Sequence, residues 1–418
     1  MQIMIQNIIQ NQKAELKRRI RENYTPRETL LKGGNTGLVS VVIGPRRAGK
    51  SFFLMHTVNK ASNAGYVNFD EERLLKVENF DEIIAALRVV YPDLQVLLFD
   101  EIQNVSGWEI IVNRLYREGY KLFLTGSNSH LLSSDLATHL TGRHFATYIF
   151  PFSFHEVMSL FPQISLPLDI SQKCSEYLTK GGFPEIWIRN YEASDYLSSL
   201  FDSVLLKDIV KRYRVRYPNS LIDLAQILIT NLCGEFSGTS IMKLANFNSL
   251  HTVIKYLGYL EQAFLLFTVP RFSYKIKEQR KAGRKIYCYD NGYYEAKAYK
   301  FSPNNGKLFE NAVAIGLKKE ELKGKLRLFY YKNQKQEEVD FVIQKGIKID
   351  MLVQVCSSLS EPKVKEREIR SLLKAGKELQ CKSLIVVTND YEQKENHTWF
   401  GHKGEIEFIP LWKWLLNR

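Results

Sequence analysis

Gly44-Pro45-Arg46-Arg47-Ala48-Gly49-Lys50-Ser51 places two glycines, a lysine and a hydroxyl at the spacing G-x-x-x-x-G-K-[ST]. The segment follows the apolar run Leu38 to Ile43 and precedes a helix predicted from Phe52-Phe53-Leu54. Each residue type has a task there. The glycines let main-chain N–H groups curl around phosphate oxygens, and a helix N-terminus adds positive potential. Lys50 would bridge the β- and γ-phosphates, Ser51 would hold Mg²⁺, and the cradle would run from Gly44 to Phe52.

Val96-Leu97-Leu98-Phe99-Asp100-Glu101 delivers two adjacent carboxylates at the end of an apolar strand, where α/β ligands bind. Asp100 would orient the metal through water, and Glu101 would polarise an attacking water, which favours hydrolysis over transfer to a small acceptor. Lys121 to Thr125 runs into Gly126-Ser127-Asn128, so Ser127 or Asn128 is a candidate γ-phosphate sensor. Arg143, in Thr141-Gly142-Arg143, would reach that phosphate from the same or a neighbouring subunit, or is a surface arginine.

The elements that must hold these groups read as short buried strands alternating with longer mixed segments, the pattern of a parallel sheet with crossover helices. The runs are Leu38 to Ile43, Tyr66 to Phe69, Gln95 to Phe99, Lys121 to Thr125 and Phe145 to Ile149. Ahead of them, residues 3–22 place Ile5, Ile8, Ile9, Leu16 and Ile20 at helical spacing, with Lys13, Lys17, Arg18, Arg19 and Arg21 on the remainder. The blocks so delimited are an N-terminal amphipathic helix over 1–24, an α/β core carrying the phosphate loop over 25–150, a helical block over 151–217, a basic helical block over 218–298 and a terminal α/β block over 299–418. Strands in the last are expected at Leu326 to Tyr331, Glu338 to Ile343, Met351 to Val355 and Ser383 to Thr388.

Together with Phe99-Asp100-Glu101-Ile102-Gln103, Leu124-Thr125-Gly126-Ser127, Thr141-Gly142-Arg143 and Pro151-Phe152-Ser153-Phe154, the phosphate loop resembles the prokaryotic AAA+ ATP-binding family that carries an uncharacterised C-terminal domain. The likeness continues through Gly181-Gly182-Phe183-Pro184-Glu185, Tyr287 to Gly292 and Leu308-Phe309-Glu310-Asn311, covering nearly the whole chain. It implies an α/β multidomain protein with a P-loop parallel-sheet core, a helical lid, a winged helix-turn-helix and a restriction-endonuclease-like α/β domain.

Between Ser240 and Phe264 two short helices are separated by Asn246 to Ser249, with Ser249 placed to cap the second. Its outward residues His251, Thr252 and Lys255 would approach bases or phosphates. A wing follows at Arg271 to Lys285, rich in Lys275, Lys277, Arg280, Lys281 and Lys285. This pattern points to the phosphate backbone of double-stranded DNA, or to a solvated hairpin or a protein contact.

Glu310, Asp340, Gln354 and Cys356 occupy the order of a restriction-endonuclease-like site, which needs carboxylates for Mg²⁺ and a lysine for the transition-state charge. Gln354 stands where a carboxylate would help bind the metal, and Cys356 where the ammonium would sit. The site therefore reads as vestigial, unless a displaced base such as Lys363 or Lys365 serves.

The 418 residues carry 58 Lys and Arg against 45 Asp and Glu, a net charge of +13 that favours a polyanionic partner. With 45% apolar and 25% charged residues, disordered, collagen-like and coiled-coil classes are excluded. Five dispersed cysteines without a C-x-x-C pair, no signal-peptide pattern and no membrane-length apolar run predict a cytoplasmic address without membrane association. The expected function is an Mg-dependent ATPase that couples nucleotide state to movement of the basic module, with a protein partner or homo-oligomer as further company. The alternatives are a nucleotide-binding scaffold or regulator with negligible turnover, and an ATP-dependent nuclease or nucleic-acid remodeller.

Overall fold

The five apolar runs form one parallel sheet of β1 (Val39–Ile43), β2 (Ala64–Asn68), β3 (Val96–Asp100), β4 (Lys121–Gly126) and β5 (His144–Tyr148), in the order β2-β3-β4-β1-β5. The computed structural model describes residues 2–34, 36–58, 64–129, 142–300, 305–359, 362–399 and 401–417. Thr141 lies outside them. The sheet belongs to the first of two compact units, 1–151 and 152–418.

Strands β1 and β3 are buried along their whole length, which explains their unbroken apolar character. Helix α1 (Gln2–Arg19) buries Ile5, Ile8 and Ile9, and α2 (Lys50–Val58) buries Phe53, Leu54 and Met55. Each such side chain contributes about 1.5–3 kcal/mol. Helix α3 (Phe80–Val90) starts at Asn79, whose side chain accepts from the Asp81 N–H. α1 packs within this unit. Gln12 exchanges two hydrogen bonds with the Asn68 backbone, and Lys13 donates to the Val90 carbonyl, so the helix is part of the first unit.

The second unit opens with helices between Phe154 and Lys211, the last eight residues, Val204–Lys211, being wound as a π-helix. Then come α4 (Pro218–Thr230), β6 (Glu235–Phe236), α5 (Gly238–Leu244), α6 (Leu250–Gln262), β7 (Leu266–Pro270), α7 (Ile276–Lys281) and β8 (Arg284–Cys288). The three strands form an antiparallel sheet in the order β6-β8-β7. The predicted wing holds a short helix, α7, rather than a plain hairpin. Ser249 does precede α6, but its side chain makes no capping bond.

After α8 (Asn305–Leu322), a mixed six-stranded sheet is built from β9 (Arg327–Lys332), β10 (Glu338–Lys345), β11 (Lys348–Val355), β12 (Leu384–Thr388), β13 (Gln393–Trp399) and β14 (His402–Pro410). Its order is β13-β14-β12-β11-β10-β9. Helix α9 (Pro362–Glu378) packs Ile369, Leu372 and Leu373 into the same apolar core as Val342, Leu352 and Phe408. The hairpin β13–β14 was not among the predicted strands.

Two of the resembling segments meet at Asp290. Its buried carboxylate accepts the Gly182 N–H at 2.7 Å and the Gly292 N–H at 2.9 Å. A Cβ on Gly181 would come within 1.8 Å of the same carboxylate, so only glycine fits. Asn311, from the Leu308 to Asn311 segment, closes the joint on Cys288 and Asn291.

Candidate functional site

The phosphate loop leaves β1 at Gly44, where an added Cβ would lie 1.8 Å from the Ile149 carbonyl oxygen. Close passage of two main chains is what demands glycine there. Gly49 has a φ of +92°, in the region that glycine occupies without strain. Arg27 buttresses the loop by donating to the Ala48 carbonyl at 2.9 Å and to the Phe150 carbonyl at 2.5 Å, a role that nothing in its sequence context signals.

Lys50, only 4% exposed, donates to the Pro45 carbonyl at 2.9 Å, and its ammonium lies 3.8 Å from Glu101. Ser51 Oγ donates to Asp100 Oδ1 at 2.8 Å. Tyr66 and Thr125 also donate to Asp100, Tyr66 at 3.0 Å, and neither was singled out from the sequence. The strand order explains Thr125: β4 lies between β1 and β3, so its C-terminal end faces both the phosphate loop and the carboxylates.

Glu101 adopts a left-handed backbone, φ +52°, unusual for a residue with a side chain. Its N–H bonds Thr125 at 3.1 Å, and its carboxylate accepts from Ser127 Oγ at 3.0 Å and from Gln103. Burial works to raise this carboxyl, but the Lys50 ammonium and the Gln103 and Ser127 bonds hold it below its ordinary range. Asp100 moves the other way. Burial and then the neighbouring Glu101 charge push it up, against its three hydroxyl donors.

Ser127 and Asn128 are both buried at this end of β4, and Ser127 touches Glu101. Arg143 is not brought to the loop of its own chain. β1 and β5 run parallel with Val39 beside His144 and Ile43 beside Tyr148, so Arg143 lies at the N-terminal end of the sheet. Five residue steps, roughly 16 Å, separate it from Tyr148, which pairs with Ile43, the last residue before the loop. It is exposed there, near the Tyr116 ring.

In the second unit, His251 and Lys255 are exposed on α6, and Thr252 is half-buried. Lys275, Lys277, Arg280 and Lys281 are exposed around α7. Lys285 departs from the reading of a solvated wing. It sits on β8 with its ammonium 2.9 Å from Glu310, 2.5 Å from Glu338 and 2.9 Å from Asp340.

The structure thus gathers Glu310 and Asp340 as their order predicts, with Lys285, Glu338 and Tyr287 added. Gln354 stands beside them, accepting the Asp340 N–H at 3.2 Å. Cys356 directly follows β11 and, as a thiol, supplies no cation. Its thiol bonds the Ser358 carbonyl and packs in the core with Ile369 and Leu372, and burial raises its pKa. Lys365 is engaged elsewhere, at 2.8 Å from Glu395, and Lys363 is exposed. No helix among the described residues is long and apolar enough to cross a membrane.

Three regions match known domain families: an AAA domain over 36–158, a domain of unknown function (DUF8612) over 171–303 and another (DUF4143) over 305–414. An uncharacterized protein of Methanocaldococcus jannaschii is 34% identical over 402 residues, spanning 91% of this chain and 88% of its own length. An uncharacterized protein of Haemophilus influenzae is 30% identical over 420 residues, spanning 95% of this chain and 98% of its own. Among solved structures, the Aeropyrum pernix Orc1 protein in complex with DNA aligns at a TM-score of 0.33 and 13% identity, covering 73% of this chain and 92% of that one.

Proposed function

We propose that this chain, which belongs to a family of AAA-domain proteins with a C-terminal DUF4143 domain, binds and hydrolyses Mg·ATP at Gly44 to Ser51. One observation carries this reading. A buried ammonium, a hydroxyl bonded to a carboxylate, and a second carboxylate converge on one loop at the C-terminal end of a parallel sheet.

The residues fit the ligand. Lys50 has a phosphate-seeking charge held in place, and Ser51 and Asp100 are hard oxygen donors of the kind that hold Mg²⁺. Bound magnesium would supply charge neutralisation on the phosphate oxygens. Lys50 would exchange the Pro45 carbonyl and Glu101 for phosphate. Glu101 would orient a water and accept its proton once Ser127 and Gln103 release it, which makes basal turnover slow. Asn128 stands beside Ser127 for contact with the terminal phosphate. Arg143 would serve only a neighbouring copy.

The second unit supports a second ligand. The order α4-β6-α5-α6-β7-α7-β8 with strands arranged β6-β8-β7 supports the reading of a winged helix with a short helix in its wing, and the exposed Lys255, Lys275, Lys277, Arg280 and Lys281 favour duplex DNA held by its phosphates. Nucleotide turnover and DNA binding would then be coupled within one chain in the cytoplasm. Phosphate release by wild type and Lys50→Ala, with and without duplex DNA, tests the reading. Release by wild type alone, raised by DNA, is expected; equal release by both proteins contradicts it.

A further inference from the structure

The cluster around Lys285 has the wrong composition for the wing and a telling one for the C-terminal domain. Three carboxylates, Glu310 on α8 and Glu338 and Asp340 on β10, converge from two elements onto one point. That point is filled by an ammonium from a third element, β8, which belongs to the preceding three-stranded sheet. The side chain of Lys285 is 3% exposed, with Asp340 at 8% and Glu310 at 16%.

An ammonium has three N–H donors, and here each has its own carboxylate within 2.9 Å. Lys285 is fully spent on these partners. The carboxylates are fixed in turn: Asp340 takes the Val355 N–H at 2.9 Å on its other oxygen, and Glu310 takes the Tyr287 hydroxyl at 2.7 Å. Burial would lower the lysine, but Asp340, Tyr287, Glu310 and Glu338 hold it charged well above its ordinary range. Burial and the Asp340 charge push Glu310 up to about 7, as expected when three acids share one cation. Among the described residues no group of three or more acidic, histidine or cysteine side chains is placed to hold a metal ion as the structure stands, these three included.

We infer that the Lys285 ammonium is the resident cation of the Glu310–Glu338–Asp340 pocket, standing where a divalent metal ion would otherwise bind. Oxygen donors of this kind and number suit Mg²⁺, Mn²⁺ or Ca²⁺, but a cation already at their centre, contributed by the chain itself, repels a second one. The consequence is twofold. The pocket takes up no divalent metal in the native protein, and the cluster ties the 171–303 region to the 305–414 region without one.

Manganese is the probe. Nucleotide-free full-length protein is titrated with Mn²⁺ and followed by the electron paramagnetic resonance signal of the free ion, alongside thermal melting. Wild type is expected to show no uptake that depends on Glu310 and no change in melting temperature. Lys285→Met is expected to melt lower without metal, to take up one Mn²⁺ per chain, and to regain roughly 5–10 °C at a hundredfold excess over its dissociation constant. Mn²⁺ uptake by wild type that Glu310→Gln abolishes overturns the inference, as does a folded Lys285→Met that gains nothing from Mn²⁺. The wild-type titration decides the matter even where the variant does not fold.

Discussion

Lys50 and Glu101 face each other across 3.8 Å, both nearly buried, at the point where the phosphate loop meets the end of β3. Neither group is free in this arrangement. The lysine also holds the Pro45 carbonyl, and the glutamate is held by Ser127 and Gln103. A triphosphate entering the cradle would take the ammonium, and the glutamate would lose its counterion.

Glu101→Gln separates the two roles. The amide can orient water but cannot accept its proton, so phosphate release should fall by about 10²–10⁴-fold. Nucleotide binding should persist, since the like charge facing the phosphates is removed. Single-turnover assays beside an equilibrium titration check both halves; full activity in the variant would remove Glu101 from the chemistry.

Gly44→Ala tests the loop's steric basis. The new methyl group would lie 1.8 Å from the Ile149 oxygen, so either the loop or the chain after β5 must shift. A loss of stability of about 1–3 kcal/mol and of the melting-temperature rise given by Mg·ATP is expected in thermal scans.

Neutralising Lys275, Lys277, Arg280 and Lys281 together should weaken duplex DNA binding at least tenfold at low salt. The slope of log affinity against log salt should become shallower by as much as about 3–4. Fluorescence anisotropy over a salt series measures it. An unchanged slope would place any DNA contact elsewhere.

Asp290 should make stability depend on pH. Burial, the dominant influence, raises its folded pKa to about 7 despite the Gly182 and Gly292 N–H groups. As pH rises, the unfolded chain releases this proton first, near its ordinary value of about 3.9. Its contribution is therefore most favourable below that value and is lost progressively up to about pH 7. Asp290→Asn leaves one glycine N–H facing an amide donor, costing about 1–3 kcal/mol. Urea midpoints at pH 5 and pH 8 should differ less in the variant than in wild type.

The sequence made the nucleotide site legible because its parts are local. Eight contiguous residues, and a strand ending in Asp100-Glu101, specify their own geometry through main-chain sterics. Lys285 was illegible for the opposite reason: its partners Glu310 and Asp340 lie 25 and 55 positions away, and in sequence it is one of many basic residues. The hairpin β13–β14 was hidden by polarity, since Gln393 to Trp399 forms an edge strand with no fully buried residue. Arg143 did carry a signal. It precedes β5, whereas ligands of parallel sheets collect where strands end.

Calorimetric titration of Mg·ATP into wild type and Lys50→Ala puts the nucleotide site to the most direct test. One saturable site per chain in wild type, with no heat from the variant, is the predicted result. No heat from wild type, or the same isotherm from both proteins, would contradict the proposed site.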